Sequence, residues 1–285
     1  MDSVLILGAS SYVANGFSDV VEKCYLVEQF SRGNTNRIGD RIYGDYLDLC
    51  GNSFFRKTYD NVVNFAIIKD GDIERNIDYI KSLVEFCKTH NVKKLIHFSS
   101  IMVYNYQDKF VDETTSIEQV GETFKKGYGE IKIAVDQYLM QIKESLPFEL
   151  VLVRPGYVLA DDRNCPFIKK LPLGLSIIKG NFDSKQPIVR RSDIHMALIR
   201  IMQTSSNDTV YHLFPNDGMT KYKYAKNIGS GLIIPMPKCI FKLIPYAFMK
   251  IGILPKSIYS RFEGMYIESD FRSKATECKL NIKFE

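Results

Sequence analysis

Tyr128 and Lys132 are the two residues of this chain whose types and spacing point most directly to chemistry. They lie four residues apart in a segment with helical character, and positions i and i+4 share one face of a helix. An ammonium group beside a phenol favours the phenolate and lowers the pKa of the phenol. Ser99 and Ser100 end an apolar strand upstream, so a serine hydroxyl could hold a carbonyl or alcohol oxygen at the same place. Ser100, Tyr128 and Lys132 are therefore the candidate catalytic residues for proton transfer coupled to hydride transfer, provided that a nicotinamide lies beside them.

The first half of the chain alternates apolar strand-like segments with helix-like segments. Strands are predicted at 4–7, 25–30, 60–66, 94–100 and 148–153, and helices up to about Lys23, at 73–90 and at 129–144. This alternation predicts βαβ units and a parallel sheet that is buried on both faces. Ligands of such sheets bind beyond the carboxyl ends of the strands. Four chemically interesting positions lie at the ends of predicted strands: Gly8, Ala66, Ser100 and Pro155.

We therefore predict an α/β fold, a doubly wound parallel sheet of Rossmann type with a small C-terminal region that caps the substrate. The dinucleotide-binding domain is expected over residues 1–156, and segments around 186–215 are expected to return to it. Residues 157–285, where prolines are frequent and periodicity is weak, are expected to form most of the substrate-binding cap.

The segment from Gly8 to Ala14 is a degraded dinucleotide fingerprint. The glycine of the tight turn is present, and alanine is a tolerated variant at the third glycine position. Ser11 replaces the second glycine, which normally lets the backbone approach a pyrophosphate. The candidate cofactor contacts in this turn are Gly8, Ser10, Ser11, Tyr12 and Val13.

The end of the second strand should distinguish NAD from NADP. Glu28 has the spacing of an acidic residue that binds the ribose hydroxyls of NAD, but it lies in the middle of the predicted strand. Arg32 lies where the strand turns and would accept the 2′-phosphate of NADP. We predict Arg32 as the cofactor contact and NADP as the cofactor, with NAD as the alternative.

Composition limits the other function classes. The net charge of +5 is spread along the chain without a basic arm, so no nucleic-acid partner is expected. The six cysteines have no Cys-x-x-Cys spacing and the four histidines no metal-ligand spacing, so neither a disulfide framework nor a metal site is expected. No signal peptide is seen and no apolar run reaches the length of a membrane span, so we expect a cytoplasmic protein.

The segment from Lys242 to Lys256 is both apolar and basic. It could lie on a membrane surface as a peripheral contact. We favour the alternative in which it forms a cap helix that packs over the substrate or over a partner.

Several motifs together resemble the extended short-chain dehydrogenase/reductase superfamily, and within it the NAD-dependent epimerase/dehydratase group that acts on nucleotide sugars. The similarity covers nearly the whole chain. The glycine turn, the strand end Ser99-Ser100-Ile-Met-Val-Tyr104, the Tyr128/Lys132 pair and the segment beginning Arg154-Pro155 match in order, as does the tail from Asp270 to Phe284. The chain departs from the family pattern at Ser11, Asn105 and Ala160.

The resemblance implies further site residues. It places Asp45 and Tyr46 near the adenine. It places Phe65, Ala66, Ile67, Lys69, Ser99, Pro155, Tyr157 and Val158 along the rest of the cofactor. Met102 and Tyr104 are expected in the wall of the substrate pocket, and Arg190 is expected at the diphosphate of the sugar nucleotide.

The resemblance also implies an activity, the NAD(P)-dependent reduction of a 4-keto nucleotide sugar. The tail is similar to that of reductases that serve surface-polysaccharide pathways. A nucleotide-sugar 4-epimerase with tightly bound NAD and a non-catalytic dinucleotide-binding sensor or scaffold stay open as alternatives. By analogy with the family, a homodimer formed through the predicted helices 73–90 and 129–144 is expected.

Overall fold

The computed structural model describes most of the 285 residues. The described ranges are 1–69, 72–105, 108–120, 127–159, 168–172, 175–178, 182–183, 185–205, 209–227, 232–235, 243–254 and 269–284. Ala160, one of the departures from the family pattern, lies outside them.

Fifteen strands are present in the described part of the chain. They are β1 (Ser3–Leu7), β2 (Leu26–Arg32), β3 (Asn36–Ile38), β4 (Arg41–Gly44), β5 (Asn61–Asn64), β6 (Lys94–Phe98), β7 (Phe110–Val111), β8 (Glu149–Pro155), β9 (Tyr157–Leu159), β10 (Ile168–Lys170), β11 (Ser176–Ile178), β12 (Ile188–Arg190), β13 (Val210–Leu213), β14 (Ile233–Pro235) and β15 (Asp270–Phe271).

Helices connect many of these strands. The α-helices are α1 (Phe17–Val21), α2 (Ile73–Thr89), α3 (Tyr128–Ile142), α4 (Arg191–Gln203), α5 (Lys221–Asn227), α6 (Ile244–Lys250) and α7 (Lys274–Leu280), and short 3₁₀ helices lie at Ile101–Val103 and Lys143–Ser145. The carboxyl group of Asp72 caps α2 by accepting a hydrogen bond from the Arg75 amide over 2.9 Å. Asn91, with a φ of 47°, follows its C-terminus.

The main sheet has eight strands in the order β13-β8-β6-β5-β1-β2-β4-β3. The chain runs from β1 outwards to β2 on one side and later to β5, β6 and β8 on the other, and these neighbours pair in parallel. This is the doubly wound arrangement, in which the strand order reverses beside β1. The predicted fold class is confirmed. The edge pair β3 and β4 was not predicted, because β3 is fully exposed and the two strands have only three and four residues.

The register of the sheet aligns the carboxyl ends of its central strands. Leu7 of β1 is level with Asn64 of β5, Asn64 is level with His97 of β6, and the next residue, Phe98, is level with Val153 of β8. The central strands are buried on both faces. Residues of one face pack with α2 and α3 in one apolar cluster, to which α2 contributes Ile80, Leu83, Val84 and Cys87 and α3 contributes Ile131, Val135 and Leu139.

The chain divides into two compact units. Unit 1 comprises Met1–Ser100, Glu130–Arg154 and Ser192–Tyr211, and unit 2 comprises Ile101–Gly129, Pro155–Arg191 and His212–Glu285. Residues 101–129 thus group with the C-terminal part of the chain in unit 2. The physical reason is pairing with the C-terminal part of the chain, since β7 pairs with β15 and Glu113 accepts hydrogen bonds from Thr276.

Within the described ranges, no helix has both the length and the apolar character that a membrane-spanning helix needs.

Candidate active site

Gly8 forms the tight turn directly after β1. Its φ of +76° favours glycine, and a Cβ atom at this position would lie 2.7 Å from the backbone nitrogen of Ala66. The turn is fixed from within by a hydrogen bond of 2.8 Å from the Ser11 amide to the Gly8 carbonyl. Only glycine therefore lets β1 end this close to the end of β5.

The loop after Gly8 differs from an ordinary dinucleotide fingerprint. Residues 12–16 form turns, and the helix α1 begins only at Phe17 and has five residues. The hydroxyl of Ser11 accepts a hydrogen bond of 3.3 Å from the Ala14 amide, so the serine that replaces the second glycine is used within the loop itself. Ser10 is exposed, and Tyr12 and Val13 are half-buried.

His195 of α4 anchors this loop. Its Nε2 lies 2.8 Å from the carbonyl oxygen of Val13, and its ring lies 5.2 Å from the ring of Phe17 between centroids. His195 thus has a structural role, because it connects the glycine turn to a residue that is 182 positions later in the chain.

Arg32, Tyr46 and Gly8 lie near one another at the carboxyl ends of β1 and β2. Burial raises the pKa of Tyr46 to about 12, and the nearby Arg32 charge and Gly8 backbone act against this rise. The ring of Tyr46 packs against Phe30, with 5.3 Å between centroids. Asp45 is exposed, and its carboxylate accepts a hydrogen bond of 3.0 Å from the Leu47 amide.

Glu28, the alternative cofactor contact, is a core residue. It is fully buried in β2 and binds Arg37 over 2.8 Å and Arg56 over 3.0 Å. The Tyr59 hydroxyl donates to its other carboxylate oxygen. Because both carboxylate oxygens are bound by these side chains, Glu28 holds β2 to β3 and to the loop before β5. Arg32, in contrast, is exposed at the end of β2.

The end of β5 carries the predicted residues of the cofactor's middle part. Phe65 and Ala66 are buried, Ile67 is half-buried and Lys69 is exposed. The Phe65 amide donates to the Leu7 carbonyl over 2.9 Å, which holds the two strand ends together. The Phe65 ring also lies 4.5 Å from the Phe98 ring at the end of β6. These contacts bring the ends of β1, β5 and β6 together as the sheet topology predicts.

A buried polar chain lies beneath these strand ends, and sequence reasoning missed it. Asn64 accepts hydrogen bonds from the Tyr79 hydroxyl over 2.6 Å and from the Ala66 amide over 2.9 Å. Its Nδ2 lies 3.0 Å from Nδ1 of His97. Since both donors point at Oδ1 of Asn64, its amide donates to His97, and the proton of the neutral imidazole lies on Nε2.

Lys132 is held at the end of β6. The side chain is only 3% exposed, and its ammonium group donates a hydrogen bond to the carbonyl of Phe98, two residues before Ser100. Burial lowers the pKa of Lys132 to about 8, and the carboxylate of Asp136 opposes this shift. Burial and the Lys132 charge also hold the pKa of His97 well below its usual range. The structure therefore places the lysine ammonium beside the strand that carries the serine pair.

The other two candidate catalytic residues are more accessible. Tyr128 is the first residue of α3, one helical turn before Lys132, and is 45% exposed. Ser100 is half-buried, whereas Ser99 is buried and binds the Val153 carbonyl through its amide over 2.8 Å. Ser100 and Tyr128 thus have the accessibility that contact with a substrate requires.

Asp136 and Arg154 form a buried ion pair that sequence reasoning missed. Two guanidinium nitrogens of Arg154 lie 3.0 Å from Oδ2 of Asp136, and the two side chains are 4% and 0% exposed. Burial raises the pKa of Asp136, while Arg154, the Ser99 hydroxyl and Lys132 oppose the rise. A signal was present in the sequence, because Asp136 follows Lys132 by four residues and so shares its helix face.

The predicted substrate residues lie in unit 2. Met102 is half-buried in the 3₁₀ helix, and Arg190 is exposed at the end of β12. Tyr104 is fully buried, and its hydroxyl lies 2.7 Å from Nε2 of His212. A substrate contact by Tyr104 would therefore require this bond to open.

The predicted cofactor residues at the end of β8 and in β9 also lie in unit 2. Pro155 is buried at the end of β8, and Tyr157 and Val158 are half-buried in β9. The Tyr157 amide donates to the Pro187 carbonyl over 2.7 Å.

The unit 1 geometry fits a dinucleotide. The glycine turn, the exposed arginine after β2 and the ends of β5 and β6 lie on the carboxyl side of the sheet, where the strand order reverses. A model of the sequence family described as NAD dependent epimerase/dehydratase matches residues 4–214. The chain belongs to this family. No curated protein matches the chain.

Several solved structures share the fold of this epimerase/dehydratase family member. A UDP-glucuronic acid 4-epimerase from Bacillus cereus, solved with UDP-glucuronic acid and NAD, has a TM-score of 0.66 and 12% identity over 99% of this chain and 93% of its own. An L-threonine dehydrogenase from Phytophthora infestans has a TM-score of 0.68 and 12% identity over 100% and 94%. The terminal R domain of the myxalamid PKS-NRPS pathway has a TM-score of 0.70 and 12% identity over 100% and 87%. At such identities the likeness supports the fold alone.

Proposed function

We propose that this epimerase/dehydratase family member is an NADPH-dependent reductase of a 4-keto nucleotide sugar. The observation that carries the proposal is the position of Lys132, whose ammonium group is bound to the carbonyl of Phe98 at the end of β6. This contact fixes α3 beside the strand end that carries Ser100. The helix that begins with Tyr128 is thereby held beside that serine-bearing strand end.

The cofactor would be held by residues of the strand ends. Gly8 to Val13 would line the pyrophosphate, Arg32 would bind the 2′-phosphate, and Tyr46 would lie at the adenine. Asp45 would lie there as well, and Phe65 to Ile67, Lys69, Ser99, Pro155, Tyr157 and Val158 would line the remainder. When bound, the nicotinamide would supply the hydride for the sugar carbon.

The residues of the chain would handle the proton. The hydroxyl groups of Ser100 and Tyr128 would bind the 4-keto oxygen and orient the sugar. Tyr128 would then give its proton to that oxygen, and the positive charge of Lys132 would stabilise the resulting phenolate. Arg190 would bind the diphosphate of the nucleotide sugar, and Met102 and Tyr104 would shape the pocket wall.

A nucleotide-sugar 4-epimerase is the second candidate. It is favoured by the UDP-glucuronic acid 4-epimerase among the structures of like fold, which was solved with NAD. An epimerase must retain its cofactor during the reaction, whereas a reductase exchanges it. The two candidates therefore differ in the nucleotide that stays with the purified protein.

The proposal is tested by turnover of a panel of 4-keto nucleotide sugars with NADPH and NADH. The wild type should oxidise the reduced cofactor, and Tyr128→Phe should lower the hydride-transfer rate by about 10²–10⁴-fold while the cofactor still binds. Mass spectrometry of protein purified without added ligand separates the candidates, because co-purified NAD would favour the epimerase. No turnover on any sugar, and no effect of Tyr128→Phe, would favour a dinucleotide-binding sensor or scaffold.

We also propose a homodimer formed through α2 and α3, which contribute to one apolar cluster in unit 1. A solution mass equal to that of one chain would contradict this assembly. A role in supplying sugars for surface polysaccharides would follow if the product is a reduced nucleotide sugar.

A further inference from the structure

The 45 residues from Gly218 to Phe262 contain no aspartate or glutamate, although the whole chain has 33 such residues. We call this stretch the basic segment. It carries seven lysines and one arginine, so the rest of the chain has 30 basic against 33 acidic residues. The net positive charge of the protein therefore resides entirely in the basic segment, which lies within unit 2.

The described residues of the basic segment are also unusually apolar at their surface. They include nine of the nineteen large apolar side chains that are exposed in the described ranges. The nine are Tyr222, Leu232, Ile234, Leu243, Ile244, Tyr246, Phe248, Ile251 and Ile253. Exposed apolar patches of this density mark interaction surfaces.

Six of these nine residues lie in α6 or within three residues of its ends. Leu243, Ile251 and Ile253 are each 66% exposed, and Tyr246 and Phe248 are 45% and 44% exposed. Residues two apart on a helix point to nearly opposite sides. The apolar side chains are therefore exposed on more than one side of α6.

We propose that the basic segment binds peripherally to an anionic lipid bilayer, with α6 and the following turn as the apolar contact. The apolar side chains of α6 and of the following turn would leave water by entering the boundary between headgroups and acyl chains, as those of interfacial helices do. The charge is complementary, because a segment with seven lysines, one arginine and no acidic residue is attracted to anionic headgroups. Lys250 lies 5.5 Å above the ring of Tyr246, a pairing of cation and aromatic ring that suits the boundary between water and lipid.

The contact would lie on the membrane and would not cross it. The helix α6 has seven residues, which span about 10 Å, whereas the apolar core of a bilayer is about 30 Å thick. The proposal does not depend on the reaction that the protein catalyses, so it can fail or succeed independently of the reductase assignment.

The test is flotation of the full-length protein with vesicles of phosphatidylcholine alone and with about one third phosphatidylglycerol. The wild type should float with the anionic vesicles, and an increase from about 0.05 M to about 0.5 M salt should weaken the binding severalfold. Ile251→Glu should lower the vesicle partition coefficient by about tenfold or more. Lys250→Glu should weaken binding in low salt.

Ile38→Glu is the matched control, because Ile38 is the same residue type, is 65% exposed and lies in β3 of unit 1. This variant should float like the wild type. The proposal is overturned if the wild type does not float, if it floats equally with neutral vesicles, or if both isoleucine variants lose binding equally. It is also overturned if the wild type binds no vesicle and the Ile251→Glu variant has a lower solution mass than the wild type. The patch would then join two copies of the chain.

Discussion

Arg154 binds Asp136 through two nitrogens, each 3.0 Å from the same carboxylate oxygen, in the interior of unit 1. The pair joins the end of β8 to the helix that carries Lys132, and both side chains are almost fully buried. A buried charge that loses its partner is left without compensation, which costs far more than the loss of a surface ion pair.

Asp136→Ala should therefore lower the free energy of unfolding by about 3–5 kcal/mol, measured by urea denaturation. Asp78→Ala is the control, because Asp78 pairs with Lys81 over a similar distance of 3.1 Å at the surface. Its effect should be about 0.5 kcal/mol or less. Equal losses in the two variants would contradict a special role for the buried pair.

Gly8→Ala should destabilise the protein and abolish cofactor binding, because the new Cβ would lie 2.7 Å from the Ala66 backbone nitrogen. Gly16 has a similar φ of +81° but nothing within 4 Å of its Cβ position. Gly16→Ala should thus cost only about 1 kcal/mol of backbone strain, and Gly8→Ala about 2–4 kcal/mol. Thermal unfolding and titration with NADPH measure the two effects, and similar behaviour of both variants would argue against the close approach of β1 and β5.

Arg32→Ala should weaken NADPH binding by tenfold or more while NADH binding changes little, since the guanidinium would bind the 2′-phosphate. Glu28→Gln should leave the ratio of the two affinities unchanged. It should instead lower the free energy of unfolding by about 3 kcal/mol, because Arg37 and Arg56 would lose their common carboxylate. Titrations of both variants with each cofactor test this separation, and an equal preference in wild type and Arg32→Ala would remove the arginine hypothesis.

Lys132 should make stability increase with pH in the alkaline range. Its pKa is lowered from 10.5 to about 8 by burial, so between these values the unfolded chain binds a proton that the folded protein does not. The free energy of unfolding should rise from about pH 8 to about pH 10.5. Below about pH 8, Lys132 is charged in the folded protein as well, and its buried charge destabilises the protein by the full amount. The shift corresponds to about 3 kcal/mol.

Lys132→Met removes this titrating group and is the comparison for that prediction. Urea denaturation from pH 7 to pH 10 should show that the difference in the free energy of unfolding between variant and wild type becomes smaller as pH increases. A constant difference would show that Lys132 has an ordinary pKa in the folded protein.

The sequence predicted the alternation of strands and helices and the turn at Gly8. It also predicted that Ser100 ends a strand and that Tyr128 and Lys132 share a helix. Each of these depends on local patterns, such as apolar periodicity or a four-residue spacing, which act over a few residues of chain. The predicted helix at 73–90 and the observed α2 at Ile73–Thr89 agree because one apolar stripe and a capping aspartate define both.

Other features were decided only when distant segments met. Glu28 has the spacing of a cofactor residue, yet in the fold it is buried among Arg37 of β3 and Arg56 and Tyr59 of the loop before β5. In the same way, Asn64 meets His97 across two strands, and Asp136 meets Arg154 across a helix and a strand.

The sequence alone therefore determined the fold class and the candidate catalytic residues, because periodicity and spacing are properties of neighbouring residues. Tertiary structure decided which charged residues are buried and paired, because the desolvation of a charge depends on every segment that packs around it. Tertiary structure also decided that Lys132 is buried and that the apolar residues of α6 are exposed.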